Sequence, residues 1–490
     1  MERSDGIMGD SKDSLEHLDS SIRSKWLIAD LHIHSKYSRA CSKDLNIENL
    51  VKWARIKGVD LLGTGDFTHP KWLEEIKSKL KGENGIYWYN DSKGRFPFIL
   101  SSEISLIYTK NGKGRRVHLV YLAPSIEVVE KINSWLDTKG RRDYDGRPIF
   151  GISCRDFAAK MEEIDKRIEI IPAHAWTPWF GIFGSNGGFN SLKEAFEDKV
   201  GMIHAIETGI SSDPEMNWKI KDLDNISIVS FSDLHSFWPW RLGREATIFF
   251  KNDSLSYDEL IRQIREKDFY GTIEADPCYG KYHLDGHRNC NFSCSGEETK
   301  KLNGVCPVCR KSLTIGVEYR VFELEKFGKA NHEKKKFYYK LLPLQEILSL
   351  GLGLGVNSKG CWGVYNKLIE KFENEFDILF FVSKEELESV LNNSLLVDLI
   401  LLNRGGKIKV KPGYDGVYGK AIIAGKEVSL EDDNKSISDE NGNSEKISPL
   451  SINNGEKAAN MVNLAKGKKV ESFKSSNTFG RPRVTQKKLF

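Results

Sequence analysis

Two histidines separated by one residue, His32 and His34, directly follow an apolar run at residues 26–29. Alternate side chains on an extended strand point to the same side, so both imidazoles would face one way. Imidazole is the commonest side-chain ligand of metals in proteins. The pair is therefore half of a possible metal site at the end of a strand, and its significance depends on the residues at the ends of the other apolar runs.

Most of the other apolar runs are also associated with residues that can bind a metal. These residues are Asp66, His69, Glu103, His118, His174, Glu207, Asp233 and His235. All follow their runs except His118, which lies near the start of its own run. Mixed imidazole and carboxylate ligands favour zinc, manganese or iron over magnesium. This many ligands could hold two or three ions, and neighbouring ions suit the hydrolysis of a phosphate ester.

The apolar runs alternate with amphipathic stretches throughout the first half of the chain. The runs cover residues 26–29, 59–63, 98–100, 117–122, 168–171, 202–206 and 226–231. This alternation indicates an α/β fold with a buried parallel sheet. Seven strands suggest a barrel one strand short of the common eight, and the ends of its parallel strands would meet at one rim. We therefore expect the candidate ligands to converge there.

Four cysteines in the second half of the chain have the spacing of a structural zinc site. Cys290 and Cys294 form the first pair, and Cys306 and Cys309 form the second. Two such pairs predict a small module with a tetrahedral four-cysteine zinc site. Three further residues lie close enough in sequence to replace one of the four: Cys278, His283 and His287.

The composition is typical of a folded intracellular protein. The 490 residues are 39% hydrophobic, which is enough for the cores of two or three domains. No apolar run reaches the length of a signal peptide or a membrane span. Eight cysteines in so long a chain do not indicate a disulfide framework. The net charge of +4 is too small to identify a nucleic-acid-binding protein by itself.

Two segments outside the strands could contact a nucleic acid. The loop at residues 176–188 follows His174 and is rich in aromatic residues and glycine, so it could line a base pocket, wedge into a duplex, or simply pack on the barrel. Its candidates for the pocket or wedge are Trp176, Trp179, Phe180 and Ser185. A basic segment with interleaved glycine and tyrosine begins at Arg404 and suits either a solvated surface or a phosphate backbone. Arg404 and Lys407 are its candidate phosphate contacts.

The rim motifs resemble the PHP (polymerase and histidinol phosphatase) family, whose motifs stand in the same order. The resemblance implies a distorted seven-stranded (β/α)7 barrel with two or three divalent metals (Zn, Mn or Mg) at its C-terminal face. The first metal would be held by His32, His34, Glu103 and Asp233. The second would be held by His118, His174 and the same Glu103. His235 would belong to a third metal, with Asp66 or His69 nearby. Glu207 would be a ligand or would orient a ligand histidine. Asp233 is the best catalytic candidate, because a carboxylate can both bind a metal and hold the attacking water.

The order of segments along the chain resembles the endonuclease Q family of DNA repair enzymes of archaea and some bacteria. The likeness is clearest at residues 65–70, 173–178 and 232–235 and spans residues 26–426. It implies a metal-dependent endodeoxyribonuclease that flips out the lesion and cleaves the phosphodiester on its 5′ side, leaving a 3′-hydroxyl. The implied lesions are uracil, hypoxanthine, xanthine and abasic sites.

These patterns together predict the organisation of the chain and its partners. The predicted segments are a disordered leader at 1–24, the barrel at 25–255, a linker helix and zinc module at 256–335, a mainly helical DNA-binding region at 336–427, and a disordered tail at 428–490. The tail ends in Gln486, Leu489 and Phe490, which resemble a truncated sliding-clamp (PCNA) motif. We therefore expect a monomer that binds damaged DNA and a clamp, in the cytoplasm and associated with the nucleoid.

Two other functions remain open on the sequence alone. A PHP-type phosphatase of small molecules would use the same rim, but it leaves the zinc module and the basic segment without a role. A non-catalytic scaffold that binds a clamp would use the module and the tail, but it leaves the rim ligands without a role.

Overall fold

The computed structural model describes residues 18–423 and 426–429. The first part of the chain is an α/β unit that contains a barrel of mostly buried strands. Its strands are β1 (Trp26–Asp30), β2 (Leu61–Gly63), β3 (Lys81–Glu83), β4 (Ile86–Asp91), β5 (Gly94–Lys110), β6 (Lys113–Ala123), β7 (Ile149–Phe150), β8 (Glu169–Pro172), β9 (Ala205–Glu207), β10 (Ser227–Val229), β11 (Ala246–Phe250) and β12 (Gly271–Glu274). Its helices are α1 (Ile47–Lys57), α2 (Pro70–Lys79), α3 (Ile126–Asp137), α4 (Cys154–Ile164), α5 (Leu192–Phe196), α6 (Pro214–Asn217) and α7 (Tyr257–Arg265). Several helices begin at a serine, such as Ser125 and Ser153, whose side chain accepts a hydrogen bond from the first turn.

The barrel is a ring formed by the strands β1, β2, β5, β6, β8, β9 and β10. Neighbours β1 and β2, β2 and β5, and β9 and β10 pair in parallel. Parallel bridges between Ile170 and Ile203 and between Ile33 and Leu234 complete the ring. Strand β6 runs antiparallel to both β5 and β8. The predicted distorted seven-stranded α/β barrel is thus confirmed.

The reversed direction of β6 explains the unusual position of His118 in its apolar run. Because β6 is antiparallel to its neighbours β5 and β8, the start of its apolar run lies at the rim where the parallel strands end. His118 pairs there with Ser105, while Glu103 on the same strand β5 pairs with Val120. The sheet thus brings a histidine from the middle of one strand beside a carboxylate from another.

The barrel extends beyond the boundaries that the sequence suggested. Strand β11 pairs antiparallel with β1, and β12 pairs antiparallel with β11. Helix α7, predicted as a linker helix, packs on the barrel, where the Tyr257 hydroxyl donates to the carbonyl oxygens of Leu122 and Arg167. At the other end, Ser20–Lys25 forms a short 3-10 helix, and Arg23 pairs with Asp60 at 3.0 Å. The predicted leader is therefore ordered from about residue 18, and residues 1–17 lie outside the described part.

A small module and a mainly helical region follow the barrel, as predicted. The module contains β13 (Asp285–His287), β14 (Phe292–Cys294), α8 (Gly296–Lys301) and α9 (Val317–Glu325). Strand β15 (Phe337–Lys340) then returns to pair in parallel with β12. The last described elements are α10 (Leu344–Leu352), α11 (Lys359–Phe372), α12 (Glu375–Phe380), α13 (Lys384–Val390), α14 (Ser394–Arg404), β16 (Lys409–Lys411), β17 (Lys420–Ile423) and β18 (Lys426–Ser429). Within the described residues, no helix has the length and apolar character needed to cross a membrane.

A buried ion pair joins the helical region to the barrel. The Lys57 ammonium on α1 lies 2.5 Å from a carboxylate oxygen of Glu375 on α12, and both side chains are almost completely buried. The same ammonium donates to the carbonyl oxygen of Pro239 at 2.8 Å. Glu375 accepts further hydrogen bonds from the Tyr365 hydroxyl and the Leu344 backbone. Each charge is thus satisfied only when the two parts are packed together.

Replacing Lys57 by Met should destabilise the protein by about 3–5 kcal/mol, because the Glu375 carboxylate would stay buried without its cation. Chemical denaturation followed by tryptophan fluorescence measures the change. The control is Lys384→Met, which removes a cation that lies 3.8 Å from Glu388 on an exposed helix face. That control should change stability by less than about 0.5 kcal/mol. Equal stabilities of the two variants would contradict a supporting role for the buried pair.

Candidate metal centre

The histidines after β1 are held at the rim by the loop that follows β10. The backbone N–H of His34 donates to the carbonyl oxygen of Leu234 at 3.2 Å. The Asp30 carboxylate at the end of β1 accepts from the backbone N–H groups of Ser232 and Gly243, each at 3.0 Å. Asp30 therefore positions the loop that carries Asp233 rather than facing the ligands itself.

The first ligand group joins four side chains from three parts of the barrel. Its members are His32, His34, Glu103 and Asp233, whose ligand atoms all lie within 4.8 Å of one another. Nε2 of His34 is 3.1 Å from Oε2 of Glu103 and 3.0 Å from Oδ1 of Asp233. Nε2 of His32 is 3.3 Å from the same Glu103 oxygen. Two imidazoles and two carboxylates thus converge on one point, as the sequence predicted.

The second ligand group uses the other oxygen of the same glutamate. Oε1 of Glu103 lies 2.8 Å from Nδ1 of His118 and 3.3 Å from Nε2 of His174. These two ring nitrogens are 3.2 Å apart. Glu103 therefore contributes one oxygen to each group, which is the arrangement of a carboxylate that bridges two metals.

The ligand atoms of the first group are better placed to bind a cation than to form hydrogen bonds with one another. Nε2 of His32 is buried and has no hydrogen-bond partner of acceptable geometry among the described residues, although ligand atoms surround it. Buried polar atoms are rarely left unpaired in native proteins, and a bound ion is one of the partners that can satisfy them. The opposite ring nitrogen, Nδ1, is fixed by Glu207, as is usual behind a metal-bound histidine. The residues present therefore fit a divalent metal.

Two buried acids lie behind the ligand histidines instead of among the ligands. Glu207 contacts Nδ1 of His32 at 2.9 and 3.0 Å and accepts from the backbone N–H of His174 at 2.7 Å. It therefore orients ligand histidines, which was one of the two roles predicted for it. Asp66 contacts Nδ1 of His34 at 3.0 Å and accepts from Ser35 and Ser38. The prediction that Asp66 is a ligand is wrong, because its oxygens are already used in holding His34 and this serine pair.

Burial and neighbouring charge set the ionisation of the ligands. Burial disfavours the charged form of Glu103, but Arg147 and the histidines outweigh it and hold the pKa of this carboxyl well below its usual range. Burial also disfavours the charge on Asp233, yet His32 and His235 keep its pKa well below normal. Burial lowers the pKa of His118 to about 4, despite Glu103. Glu103 and Asp233 are thus anionic, which is the form in which a carboxylate binds a metal.

The backbone is strained at the residues that present these side chains. Asp66, His174 and Asp233 have φ angles of +46°, +31° and +47°, in a region that favours glycine. Phe180, which follows His174 in the loop, has φ of +71°. Such conformations cost about 1–3 kcal/mol each and persist where the surroundings force them, often at functional sites. Two ligands, His174 and Asp233, and Asp66 behind them thus have backbone conformations that cost energy.

His69 and His235 lie outside both ligand groups. Nε2 of His69 is 3.2 Å from the carbonyl oxygen of Asp143, and its ring stacks on Tyr37. Nδ1 of His235 is 2.9 Å from the carbonyl oxygen of Asp233. Among the described residues the barrel thus offers two ligand groups, and these histidines do not assemble with Asp66 into the third site that the resemblance implied.

The aromatic loop after His174 has some side chains buried in the core and others at the rim of the barrel. Trp176 is buried, and its ring nitrogen donates to Asn217 at 2.7 Å, so the prediction that it lines a base pocket is wrong. Trp179 is half-buried against Tyr282, and the Ser185 hydroxyl donates to the carbonyl oxygen of Ile315. Phe180 is half-buried, with its ring centre 4.3 Å from that of His118. Phe180 is therefore the aromatic candidate that directly borders the ligands.

The zinc module also assembles a four-ligand group, but one predicted ligand is replaced. The group consists of His287, Cys290, Cys306 and Cys309, whose ligand atoms lie within 4.8 Å of one another. Cys294 is outside it, with its sulfur 3.2 Å from the Thr299 hydroxyl. The four-cysteine prediction is wrong at this position because the hairpin of β13 and β14 puts Cys294 opposite Asp285, away from the end where His287 lies. One histidine and three cysteines are a common set for structural zinc.

The two predicted phosphate contacts in the basic segment have different surroundings. Arg404 is buried, and its guanidinium donates to the carbonyl oxygens of Ile378, Leu379 and Val382 at and after the end of α12. The prediction that Arg404 contacts DNA is therefore wrong, because its donors cap a helix instead. Lys407 is exposed. The predicted clamp-binding residues Gln486, Leu489 and Phe490 lie outside the described residues.

Two residues at these sites escaped the sequence reasoning in different ways. His287 was only a spare ligand, since its place in the hairpin depends on the register of β13 and β14. The sequence patterns do not indicate Arg147, whose Nη1 lies 3.0 Å from Oε2 of Glu103. A lone arginine in a loop has no spacing pattern that could have revealed this contact.

Comparison with known proteins gives matches along most of the chain. A family model described as the MJ0043 C-terminal domain matches residues 343–407. The uncharacterized protein MJ0043 of Methanocaldococcus jannaschii is 33% identical over 286 residues, which are 57% of this chain and 34% of that protein. The chain thus spans about a third of this relative's length. The uncharacterized protein YqxK of Bacillus subtilis is 27% identical over 417 residues, or 81% of this chain and 99% of YqxK.

Two solved structures are similar over nearly their whole length. One is the lesion-specific endonuclease PfuEndoQ from Pyrococcus furiosus, with 30% identity and a TM-score of 0.71 over 81% of this chain and 95% of that one. The other is an endonuclease Q complex with a 27-mer duplex substrate that has an abasic lesion at the active site. It gives the same identity and TM-score over 81% of this chain and 96% of that one.

The revised ligand set of the zinc module predicts a difference between two cysteine variants. Cys294→Ser should keep the metal site, whereas Cys306→Ser should lose it, because only Cys306 belongs to the ligand group. Each variant is loaded with Co²⁺, and the absorption bands from thiolate to metal report whether the module binds the ion. The barrel groups contain no cysteine, so they do not contribute to these bands. Loss of the bands in Cys294→Ser would restore the four-cysteine assignment.

Proposed function

The chain belongs to the endonuclease Q family, and from this premise we propose that it is a metal-dependent endonuclease that cuts DNA at damaged nucleotides. The observation that carries the proposal is the buried Glu103 carboxylate, which gives one oxygen to each of two ligand groups at an open rim. The cut is proposed on the 5′ side of uracil, hypoxanthine, xanthine or an abasic site, where it leaves a 3′-hydroxyl.

Two divalent metals are proposed for the barrel. The first would be held by His32, His34, Glu103 and Asp233, and the second by Glu103, His118 and His174. When bound, such metals lower the pKa of water and neutralise phosphate oxygens and the leaving group. The ligand chemistry suits zinc or manganese, and a structural zinc is proposed for the module.

Asp233 is the proposed catalytic residue. Its side chain is 28% exposed, whereas the side chains of Glu103 and His34 are completely buried. Asp233 is therefore the carboxylate of the first group that faces the opening, where it can accept a hydrogen bond from an attacking water. The water oxygen bonds to phosphorus, the bond from phosphorus to the 3′ oxygen breaks, and the water proton finally resides on that 3′ oxygen.

The lesion would leave the base stack to reach the rim. Extrusion costs a few kcal/mol and costs least for mispaired or damaged bases, which favours lesions over normal pairs. Phe180 is proposed to stack on the nucleotide beside the cut, since its half-buried ring borders His118. Trp179 and Ser185 are proposed to line the same pocket, and Lys407 to contact the phosphate backbone of the flanking duplex. A sliding clamp is proposed to bind the tail through Gln486, Leu489 and Phe490.

The activity is tested with 5′-labelled duplexes that contain uracil, hypoxanthine, an abasic site or no lesion. The wild-type protein should nick the three damaged duplexes, and a chelator should abolish the nicking. Asp233→Asn should slow nicking by about a hundredfold or more and leave affinity for the duplex unchanged, because the amide cannot accept the water proton. Release of phosphate from small phosphate esters without nicking of any duplex would instead indicate a phosphatase.

Phe180→Ala should weaken lesion cleavage by about tenfold to a hundredfold, which corresponds to the loss of one stacking contact. The matched control is Phe322→Ala, since Phe322 is 43% exposed on the module helix α9 and belongs to neither ligand group. Single-turnover nicking of the abasic duplex measures both variants. An unchanged rate in Phe180→Ala would remove this residue from the pocket.

A further inference from the structure

A basic side chain stands in the opening of the barrel site beside the shared glutamate. Nη1 of Arg147 lies 3.0 Å from Oε2 of Glu103. The Arg147 side chain is 26% exposed, and the Glu103 side chain is completely buried. The guanidinium therefore approaches the carboxylate from the solvent side, which is the side from which a substrate must enter. We propose that Arg147 binds the non-bridging oxygens of the phosphate that is cut.

The loop that carries Arg147 is fixed directly on the layer behind the ligands. The backbone N–H of Gly146 donates to the carbonyl oxygen of Tyr37 at 3.1 Å, and its own carbonyl oxygen accepts from the Thr68 hydroxyl at 3.0 Å. A Cβ atom at Gly146 would come within 2.2 Å of Oδ2 of Asp66 and of the Ser38 hydroxyl. The contact is so close that only glycine fits next to the residues that hold His34. The backbone next to Arg147 thus packs against Asp66 and Ser38, which also hold the ligand His34.

Asp145 fixes the backbone from which the Arg147 side chain extends. One Asp145 oxygen accepts from the backbone N–H groups of both Arg39 and Arg147, each at 3.2 Å. The backbone that carries the Arg147 side chain is thus a hydrogen-bonded turn. An ordered cation loses less conformational entropy when it binds an anion, and this favours a binding role.

The guanidinium retains donors for a ligand after its contact with Glu103. Within residues 18–423 and 426–429, the side-chain hydrogen bond of Arg147 is the single one from Nη1 to Glu103. A guanidinium has five N–H donors in a planar fork that matches the oxygens of a phosphate. Arginine and carboxylate pairs are frequently joined by two parallel hydrogen bonds, whereas Arg147 makes one to Glu103. The single contact leaves the other donors of the partly exposed guanidinium available to a ligand.

Charge at the rim gives this cation a function in the reaction. Arg147 lies 3.0 Å from Glu103 at the same opening where the Asp233 side chain is partly exposed, so a fixed cation stands where a phosphodiester would enter. Attack by water adds negative charge to the non-bridging oxygens before the bond to the 3′ oxygen breaks. A fixed cation on those oxygens stabilises the transition state more than the bound substrate. The same contact would hold the 5′-phosphate of the product after the cut.

This inference rests on the proposed function and deepens it, so its main test does not depend on cleavage. Nicked duplexes with a 5′-phosphate or a 5′-hydroxyl at the lesion are titrated into the metal-loaded protein by fluorescence anisotropy. The wild type should prefer the 5′-phosphate by about tenfold or more, as expected for a charge-assisted pair. Arg147→Met should lose this preference, and Arg147→Lys should keep part of it because a lysine retains the charge without the fork.

The matched control is Arg141→Met in the same loop, since Arg141 is largely exposed and pairs with Asp143 away from the ligands. It should keep the full preference for the 5′-phosphate. Metal content measured by elemental analysis should be equal in all variants, which separates loss of phosphate binding from loss of the metal centre. An equal preference in Arg147→Met and wild type, or no preference in the wild type, would overturn the inference.

Single-turnover nicking then connects binding with the reaction. Arg147→Met should nick an abasic duplex about a hundredfold more slowly than the wild type, because one charge-assisted contact to the transition state is lost. A wild type that prefers the 5′-phosphate but nicks no duplex would contradict the proposed function and leave the phosphate site standing. A wild type that nicks at the same rate as Arg147→Met would contradict the role of Arg147 alone.

Discussion

The carboxylate of Glu103 is completely buried, and four imidazoles and one guanidinium lie around it. An isolated buried carboxylate is strongly disfavoured, so this group can remain charged only while cations or N–H donors surround it. The barrel meets this requirement with strands of two directions, because β6 runs antiparallel and carries His118 to the rim from its middle. The mixed directions of the strands thus allow imidazoles to approach the Glu103 carboxylate from two sides.

The surrounding shell shows how the ligand geometry is kept. Glu207 and Asp66 each hold a ligand histidine by the ring nitrogen that faces away from the ligand group. Such outer partners fix the orientation of an imidazole and raise its basicity, so they matter for metal affinity although they touch no metal. Positive φ angles at Asp66, His174 and Asp233 indicate that the fold holds these residues in costly conformations. The packed core of the barrel offsets the cost of these conformations.

The chemistry of the site was more predictable than its geometry. Runs that end in histidine or carboxylate identified the ligands, because a barrel brings strand ends together whatever the details of its loops. Sequence could not separate a ligand from the residue behind it, since Asp66 and Asp233 follow their strands in the same way and differ only in what their oxygens touch. His287 takes the ligand position that was predicted for Cys294, because the register of the hairpin decides which residue faces the other cysteines. Trp176 and Arg404 looked available for DNA, but tertiary packing uses both inside the protein.

The central claim is that Glu103 is shared by two metals at the barrel rim. Anomalous diffraction from crystals of the metal-loaded protein, recorded at the absorption edge of the bound metal, tests this most directly. We expect two peaks in the barrel about 3.5–4 Å apart, with one Glu103 oxygen directed to each, in addition to the peak of the zinc module. A single barrel peak, or a pair of peaks that Glu103 does not join, would contradict the claim.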